Sequence, residues 1–356
     1  MRVSKFLIVY LLGSLVFCSC SNEEIKNEFR GNYENGILVS GEGSTSVSGS
    51  ISFISNTYSE VEQNIFKKVN NEVLGEYVQS VSFDTDRAYI ITDNQNTISV
   101  VNRYTFEKVG VISEGLIKPR YMTIVGKKGY VTNWGATDNT NDDFIAIVNL
   151  SSFQVEEKID VALGPERIMS RNNKLFISHK GAFGSNNKII VVNLDTNLVE
   201  KEIIVKDKPD ELFFDAAGYL IVLSSGKVIY DANWSVTGHT LAAISFINTS
   251  NGTIEKEFIF DEGKHPSEMI VKDNEIFYSI GNDIYKFNSN STELPTNKFI
   301  TVEANYLYGM ETRNDELLIL DANFQGKSLL KIYDLTKKIK KQEKEVALGA
   351  SKIYFN

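Results

Sequence analysis

The chain contains three histidines, His179, His239 and His265. Histidine is a frequent zinc ligand and the most common general base near neutral pH. A zinc site would need the three rings to converge with a carboxylate, and nothing in their spacing requires this. His179 or His265 could instead act as the base of a lyase. The histidines therefore leave a catalytic hypothesis open, and we predict no metal site from them.

The acidic loop DNTNDD, residues 138–143, is a second group of residues that could carry chemistry, in this case metal binding. Asp138, Asp142 and Asp143 supply enough oxygen atoms for calcium in principle. The loop lacks the glycine at the sharp turn and the late glutamate of a calcium-binding loop. A solvated polar loop is therefore the favoured interpretation, and calcium binding is the open alternative.

Composition argues against several other kinds of chemistry. The formal charge is −9, and an acidic chain without a basic cluster does not neutralise nucleic-acid phosphates. The sequence has no Ser-His-Asp order, no phosphate loop and no nucleotide-binding fingerprint. Both cysteines, Cys18 and Cys20, lie within the first twenty residues. Residues 21–356 therefore have no cysteine for a disulfide or a thiol nucleophile. We expect no cofactor and no enzymatic activity.

The first twenty residues, MRVSKFLIVYLLGSLVFCSC, have the composition of a targeting segment. An apolar core too short to span a bilayer follows two basic residues, and Ser19 precedes Cys20. This resembles a bacterial lipoprotein signal, which implies lipidation of Cys20, and SNEE after it resembles the export tag of Bacteroidetes surface lipoproteins. We expect a signal peptide at 1–20, a flexible tether at 21–35, and an outer-membrane protein at the cell surface that contacts the membrane only through its lipid.

A repeat of about 45 residues fills the rest of the chain. Each copy has an apolar strand, a polar loop, a second apolar strand that ends in Asn, a tight turn and a strand of alternating character, as in 129–159 and 174–203. Seven short junctions, each followed by an apolar strand, separate the copies. Four short strands per unit at this period predict the blades of a β-propeller.

The two ends of the repeat array predict how it closes. The C-terminal SKIYFN is an inner strand with no blade after it, and GILVSGEG, from residue 36, is a second strand with no inner strand before it. Pairing them completes a seventh blade and removes the exposed edges. We predict an all-β seven-bladed β-propeller over 36–356, built of four-stranded antiparallel blades and closed by the N- and C-terminal strands. An unclosed β-sandwich or two domains would be the alternative.

YVTN at 130–133 lies inside this repeat and resembles the signature of the YVTN-type seven-bladed propellers. KPRYM (118–122), GYVTNWG and GPERI (164–168) are similar to a group of them found as Bacteroidetes surface lipoproteins. With the lipoprotein signal, the combination resembles the cobalamin-capturing surface propellers. The resemblance covers 36–356 and is strongest over 78–215. It implies capture of a corrinoid, vitamin B12, for a TonB-dependent outer-membrane transporter.

Loop lengths indicate which face of the propeller carries function. Loops between the first and second and between the third and fourth strands form one face and are short; we call it the short-looped face. Loops between the second and third strands, together with the junctions, form the long-looped face, which includes 133–143, 178–187 and 224–240. A scaffold that keeps one face short and lets the other grow usually binds on the longer face.

Aromatic and charged side chains concentrate on the long-looped face. Stiff aromatic groups and a charged ring suit a flat or bulky polar ligand. The candidate ligand-binding residues are Arg120, Tyr121, Trp134, Glu166, Arg167, Phe183, Asp210, Trp234, His239, Tyr308 and Phe324. For single residues the alternative is structural: Trp134 packs on the neighbouring blade, and Arg120 pairs with Glu166.

The sequence therefore predicts a surface-anchored protein that binds a ligand on its long-looped face. The expected partner is a small molecule, with a corrinoid as the leading candidate, or an outer-membrane transporter. Protein–protein recognition, as in adhesins, is the first alternative. A propeller lyase or hydrolase with an axial histidine, His179 or His265, is the second.

Overall fold

The computed structural model describes residues 29–356. It contains seven four-stranded antiparallel sheets and one additional two-stranded hairpin, and the predicted seven-bladed β-propeller is confirmed. The expected signal peptide at 1–20, with Cys20, and residues 21–28 of the tether lie outside the described residues. Within the described part, no helix has the length and apolar character needed to cross a membrane.

The strands are numbered along the chain. Blade 1 takes three of its strands from β1 (Gly36–Gly41), β2 (Ser50–Ser55) and β3 (Val61–Glu62), and a short helix follows, α1 (Ile65–Asn70). Blade 2 consists of β4 (Val78–Phe83), β5 (Arg87–Thr92), β6 (Thr97–Asn102) and β7 (Lys108–Ile112). Blade 3 consists of β8 (Pro119–Val125), β9 (Lys128–Asn133), β10 (Phe144–Asn149) and β11 (Gln154–Asp160).

Blade 4 consists of β12 (Pro165–Arg171), β13 (Lys174–His179), β14 (Lys188–Asn193) and β15 (Leu198–Ile204). Blade 5 begins with β16 (Pro209–Phe214) and β17 (Tyr219–Ser224). A hairpin of β18 (Val228–Tyr230) and β19 (Val236–His239) interrupts it. The blade then continues with β20 (Ala243–Asn248) and β21 (Ile254–Ile259).

Blade 6 consists of β22 (Met269–Lys272), β23 (Glu275–Ile280), β24 (Asp283–Asn288) and β25 (Ile300–Thr301). Blade 7 consists of β26 (Leu307–Arg313), β27 (Glu316–Asp321), β28 (Ser328–Asp334) and β29 (Ile339–Val346). The remaining strand is β30 (Ala350–Phe355), which returns to blade 1 as its inner strand.

The middle strands of a blade are apolar on both faces because each face is covered by a neighbouring blade. In β10, Ala146 and Val148 pack with the core between blades 2 and 3. Ile145 and Ile147, which alternate with them, pack with the core between blades 3 and 4. Successive side chains of a strand point to opposite faces, so two separate cores need one continuous apolar run.

The ring is closed within blade 1, where β1 lies between β2 and β30. The antiparallel register places Leu38 opposite Tyr354. Beyond β30, the Asn356 side-chain amide donates hydrogen bonds to the carbonyls of Tyr33 and Arg103 at 2.6 and 2.7 Å. The predicted closure by pairing of the N- and C-terminal strands is therefore confirmed.

Residues 30–35 pack on the short-looped face before the first strand begins. The backbone N–H of Tyr33 donates to the carbonyl of Tyr104, in the turn between β6 and β7, at 2.9 Å. The Tyr33 ring is buried and meets two phenylalanine rings edge to face. Packing on the propeller thus begins within the segment 21–35, which the sequence analysis assigns to the tether.

Candidate functional site

A cavity of about 830 Å³ opens around the axis on the long-looped face. All seven blades contribute to its wall, and its volume lies in the range of small-molecule sites. Its polar and aromatic lining includes Glu42, Arg120, Tyr121, Trp134, Glu166, Lys180, Phe183, Asp210, Glu211, His265, Glu268, Tyr306, Tyr308 and Lys352.

Bulges at the start of the inner strands direct side chains toward this cavity. In blade 3 the pairing register shifts between Pro119 and Met122, and in blade 4 it shifts between Pro165 and Ile168. A bulge removes residues from the regular ladder and changes the direction of their side chains. The two residues that follow each proline, RY in KPRYM and ER in GPERI, therefore leave the regular ladder. Of these four, Arg120, Tyr121 and Glu166 line the cavity.

Trp134 forms one wall of the cavity and also joins blades 3 and 4. Its indole N–H donates to the carbonyl of Pro165 at 2.9 Å. The Phe183 ring meets it edge to face at 5.5 Å between ring centres. The guanidinium carbon of Arg120 lies 3.7 Å from the indole centre. Trp134 therefore does both things that the sequence predicted as alternatives: it packs on the neighbouring blade, and it lines the cavity.

Arg120 is held by two carboxylates. It donates to Asp93 at 2.5 Å and to Glu166 at 3.0 Å. Burial alone would lower the pKa of Arg120, but Glu166 and Asp93 raise its pKa above the ordinary value. Arg120 therefore pairs with Glu166, as the structural alternative for these two residues predicts. Arg120 supports the Trp134 wall with its charge already compensated.

Blade 4 and blade 5 share a similar charged group. Arg167 donates to Asp210 at 3.2 Å and also pairs with Glu211, while Lys180 donates to Asp210 at 2.5 Å. Burial would raise the pKa of Asp210, but Lys180 and Arg167 hold it well below its usual range. The Arg167 guanidinium stacks on the Tyr121 ring, 4.6 Å from its centre. Arg167 thus supports the cavity wall from behind.

Three charged side chains at the axis differ from these paired groups. Among residues 29–356, Glu42, Glu268 and Lys352 line the cavity without an ion-pair partner within 4.0 Å. Burial raises the pKa of Glu42 and of Glu268. Burial opposes the charge of Lys352, but Tyr121 and Glu268 raise its pKa above the ordinary value. These groups retain hydrogen-bonding capacity that a ligand can use.

Blade 7 contributes an aromatic corner on the opposite side of the cavity from Trp134. The Tyr308 ring lies 5.2 Å from the Tyr306 ring and 5.6 Å from the Phe324 ring, between ring centres. Both tyrosines line the cavity, whereas Phe324 stands at its rim and is 43% exposed. Apolar contact area is therefore present on two sides of the polar floor.

The β18–β19 hairpin stands beside the cavity and pairs only with itself. Trp234 near its tip is 82% exposed, with a backbone φ of 62° that bulky residues rarely adopt. The Asp231 carboxylate fixes this turn by accepting the backbone N–H groups of Asn233 and Ser235 at 2.8 and 2.9 Å. Tyr230 lies 6.0 Å from Trp234, between ring centres. The hairpin thus presents two aromatic rings to solvent.

The three histidines occupy two different environments. His265 lines the cavity, donates from Nδ1 to the Ser225 carbonyl at 2.7 Å, and has its Nε2 2.8 Å from Nδ1 of His239. Both ring nitrogens of His265 are therefore occupied. His179 is fully buried within blade 4, and burial lowers its pKa to about 4. The Nε2 of His179 has no hydrogen-bond partner among the described residues, but His179 is not part of the cavity lining.

The acidic loop uses its carboxylates to build its own conformation. Asp142 accepts the backbone N–H of Ala136 at 3.0 Å, and Asp143 accepts that of Gly164 at 2.5 Å. A Cβ at Gly135, where φ is +65°, would lie 2.2 Å from the Asp142 carboxylate, so only glycine fits there. Across residues 29–356, no group of three His, Cys, Asp or Glu side chains is arranged to hold a metal ion.

Most of the candidate residues converge on the cavity. The ones that line it are Arg120, Tyr121, Trp134, Glu166, Phe183, Asp210 and Tyr308. Four lie nearby without lining it: Arg167 behind the wall, Phe324 at the rim, and Trp234 and His239 on the hairpin.

The candidate ligand-binding residues predicted from the sequence do not include Glu42, Glu268 or Lys352. Lys352 follows the bulge at the start of β30 and is two residues after Ala350 in the junction GASKIYF. Arg167 occupies the equivalent position in GPERI. Superposing the seven junctions would therefore have identified Lys352. Glu42 lies in the loop after β1, where no repeated motif marks it.

The fold and the site define a β-propeller with an axial cavity on its long-looped face. The chain belongs to the family described as a domain of unknown function, DUF5074, whose model matches residues 35–347. No curated protein matches the chain in sequence.

Solved structures with a similar fold are distant in sequence. A quinonprotein alcohol dehydrogenase-like protein from Bacteroides thetaiotaomicron has 14% identity and a TM-score of 0.65, over 92% of this chain and 79% of that one. The dihydro-heme d1 dehydrogenase NirN has 12% identity and a TM-score of 0.58, over 92% and 76%. The computationally designed protein Ika8 has 9% identity and a TM-score of 0.59, over 92% of each chain. At these identities the similarity shows the fold alone.

Proposed function

We propose that this protein is a lipid-anchored binding protein that captures a small molecule in its axial cavity. The observation that carries the proposal is the arrangement of the cavity. Aromatic walls around Trp134 and Tyr308 flank a floor where Glu42, Glu268 and Lys352 have no ion-pair partner within residues 29–356. Aromatic side chains that supply contact area, and polar groups that fix the orientation of a ligand, are both features of small-molecule sites.

This composition favours a ligand with both a flat apolar part and several hydrogen-bonding groups. A corrinoid, a macrocycle with amide substituents, fulfils both requirements and is our candidate ligand. The amide N–H groups of such a ligand would donate to Glu42 and Glu268, and Lys352 would donate to its oxygen atoms. The corresponding biological role would be nutrient uptake, with delivery to a TonB-dependent transporter.

Isothermal titration calorimetry with cyanocobalamin tests the ligand. We expect binding with a dissociation constant of micromolar or tighter for the chain from residue 20. Glu268→Gln and Lys352→Met should each weaken binding about tenfold or more, which corresponds to about 1.4 kcal/mol. The matched control Trp234→Ala, outside the cavity, should bind as the unaltered protein does. An absence of heat at micromolar concentrations would reject the corrinoid.

Anchoring through Cys20 is the second part of the proposal, and the N-terminal sequence supports it. Expression of the full chain in a bacterium that processes lipoproteins should give a membrane-bound product with a lipid-modified Cys20, detected by mass spectrometry. Cys20→Ala should abolish this modification. An unmodified, membrane-free product from the unaltered chain would contradict the anchoring.

A second candidate function is protein–protein recognition, and the β18–β19 hairpin favours it. Trp234 and Tyr230 are large aromatic groups exposed to solvent, a type enriched where proteins bind each other. This function predicts a partner that loses affinity on Trp234→Ala. The small-molecule function predicts instead that the same substitution leaves cyanocobalamin binding unchanged.

A further inference from the structure

The chain enters the propeller on the face opposite the cavity. The backbone N–H of Tyr33 donates to the Tyr104 carbonyl, and the Arg30 guanidinium lies 3.8 Å from the centre of the Tyr104 ring. Tyr104 belongs to the turn between β6 and β7, on the short-looped face. The Tyr104 hydroxyl donates to Thr85 in the adjacent turn between β4 and β5 at 2.6 Å. These contacts fix the point at which any tether must leave the propeller.

The length of chain before this point limits how far it can reach. Nine peptide units join Cys20 to Phe29. Whatever their conformation, they span at most about 30 Å, and a flexible chain of this length has an average span of about 17 Å.

Turning the cavity toward the attachment surface needs a longer path. Strands of six or seven residues rise about 20 Å, and the turns at both ends bring the propeller to a thickness of about 30 Å. The tether would have to pass around the rim of blade 2 as well as across this thickness. The thickness alone equals the maximum reach of about 30 Å, and the way around the rim exceeds it. With the cavity turned outward, the tether needs almost none of this reach.

We infer that the protein, when attached at Cys20, holds its short-looped face toward the lipid surface and opens its cavity away from it. This inference rests on the anchoring part of the proposed function. The short-looped face is then the surface next to the membrane. The exposed aromatic groups Phe183, Trp234 and Phe324 all stand on the far side and face the aqueous medium. A transporter in the same membrane meets the short-looped face first.

Attachment to vesicles through Cys20 tests this orientation directly. Apart from Cys18 in the expected signal peptide, Cys20 is the sole cysteine of the chain, so the chain from Cys20 couples to a maleimide lipid at this one thiol. The coupling makes the measurement independent of acylation in the cell. Two reporter proteins carry one tryptophan each. Trp134→Phe retains Trp234 on the long-looped face, and Trp134→Phe/Trp234→Phe/Ser152→Trp places one in an exposed turn of the short-looped face.

Energy transfer from tryptophan to a dansyl-labelled lipid gives the readout. We expect transfer from position 152 to exceed transfer from Trp234 several-fold. Equal transfer, or stronger transfer from Trp234, would overturn the inference. Circular dichroism verifies that both reporter proteins are folded.

Lengthening the tether is the matched control. Twenty Gly/Ser residues inserted between residues 28 and 29 give a reach greater than the path around the rim. The difference between the two reporters should then largely disappear. A difference that persists undiminished would show that the short tether is not its cause and would also overturn the inference. Calorimetry with cyanocobalamin is independent of both outcomes, so loss of the ligand proposal and loss of the orientation are distinguishable.

Discussion

Arg120 stacks on Trp134, with its guanidinium carbon 3.7 Å from the indole centre, while both ends of its guanidinium are held by carboxylates. The tryptophan is fixed further by its hydrogen bond to the Pro165 carbonyl on the next blade. The cavity wall is therefore rigid before any ligand arrives. Pre-organisation of this kind reduces the entropy lost when a ligand binds.

Trp134→Phe should destabilise the protein by about 1–2 kcal/mol. The substitution removes the hydrogen bond to Pro165 and weakens the cation–π contact with Arg120. The matched control is Trp234→Phe, because Trp234 is 82% exposed and should change the free energy of unfolding by less than about 0.5 kcal/mol. Urea unfolding followed by circular dichroism measures both. Equal losses in the two variants would contradict the structural role of Trp134.

Asn356→Ala should loosen the closure of the ring. The Asn356 side chain donates to two carbonyls, of Tyr33 and Arg103, and accepts from Arg103 Nε at 2.8 Å. Loss of these bonds should lower the free energy of unfolding by about 2 kcal/mol. Asn290→Ala, at an exposed turn, is the control and should have little effect. Hydrogen exchange should also show faster opening of residues 30–35. Unchanged exchange in this segment would argue against its stabilisation by the Asn356 hydrogen bonds.

Asp143 should make stability depend on pH. Burial raises the pKa of Asp143 to about 6, above its ordinary value. A carboxyl group whose pKa is raised by folding favours the folded state most below its unfolded pKa, and this contribution is lost as the pH rises through 6. The Asp143→Asn variant has no carboxyl group at this position, so its stability does not fall for this reason as the pH rises. Relative to the unaltered protein, the variant should therefore gain about 2 kcal/mol between pH 4 and pH 8.

Urea unfolding at the two pH values measures this gain. Asp138→Asn is the matched control, because Asp138 is exposed in the same loop. The gain between the two pH values should be larger for Asp143→Asn than for this control. If Asp143→Asn behaved like this control, the raised pKa would be refuted.

Removal of the hairpin should separate the two proposed functions. Residues 228–238 can be replaced by a two-residue Asn-Gly turn, because β17 and β20 pair directly and the hairpin belongs to no blade of the described residues. This replacement keeps His239 beside His265. The free energy of unfolding should change by less than about 1 kcal/mol, and cyanocobalamin affinity should remain within about twofold. A protein partner that uses Trp234 should no longer bind. Loss of cyanocobalamin binding by a folded variant would place the ligand on the hairpin.

The sequence was sufficient to predict the architecture because repetition and strand patterning are local signals. The alternation of the four strands and the seven junctions predicted the blades, and the unpaired SKIYFN and GILVSGEG predicted the closure. The packing of Tyr33 could not be predicted in this way. It depends on Phe53 from blade 1 and Phe106 from blade 2, which meet only after these two blades have packed against each other.

The site was predictable by position and less so by side-chain role. Loop lengths and the positions of the junctions predicted that Trp134 and Tyr308 lie on the long-looped face, and both line the cavity there. They did not distinguish charges that compensate each other, such as Arg120 with Glu166, from charges with no ion-pair partner in the described part of the chain, such as Lys352. That distinction depends on distances of a few ångströms between blades, and strand patterns carry no such information.

The closing strand also determines when the site can exist. Lys352 belongs to β30, which follows the 29 other strands along the chain, yet it stands at the axis beside Tyr121 from blade 3. While the chain is being synthesised, the strands before β30 can form while the cavity still lacks Lys352 in its floor. Only after Ala350–Phe355 pair with β1 does the floor become complete. A ligand that contacts Lys352 would therefore bind only after the whole ring has assembled, and chains that end before β30 should not bind it.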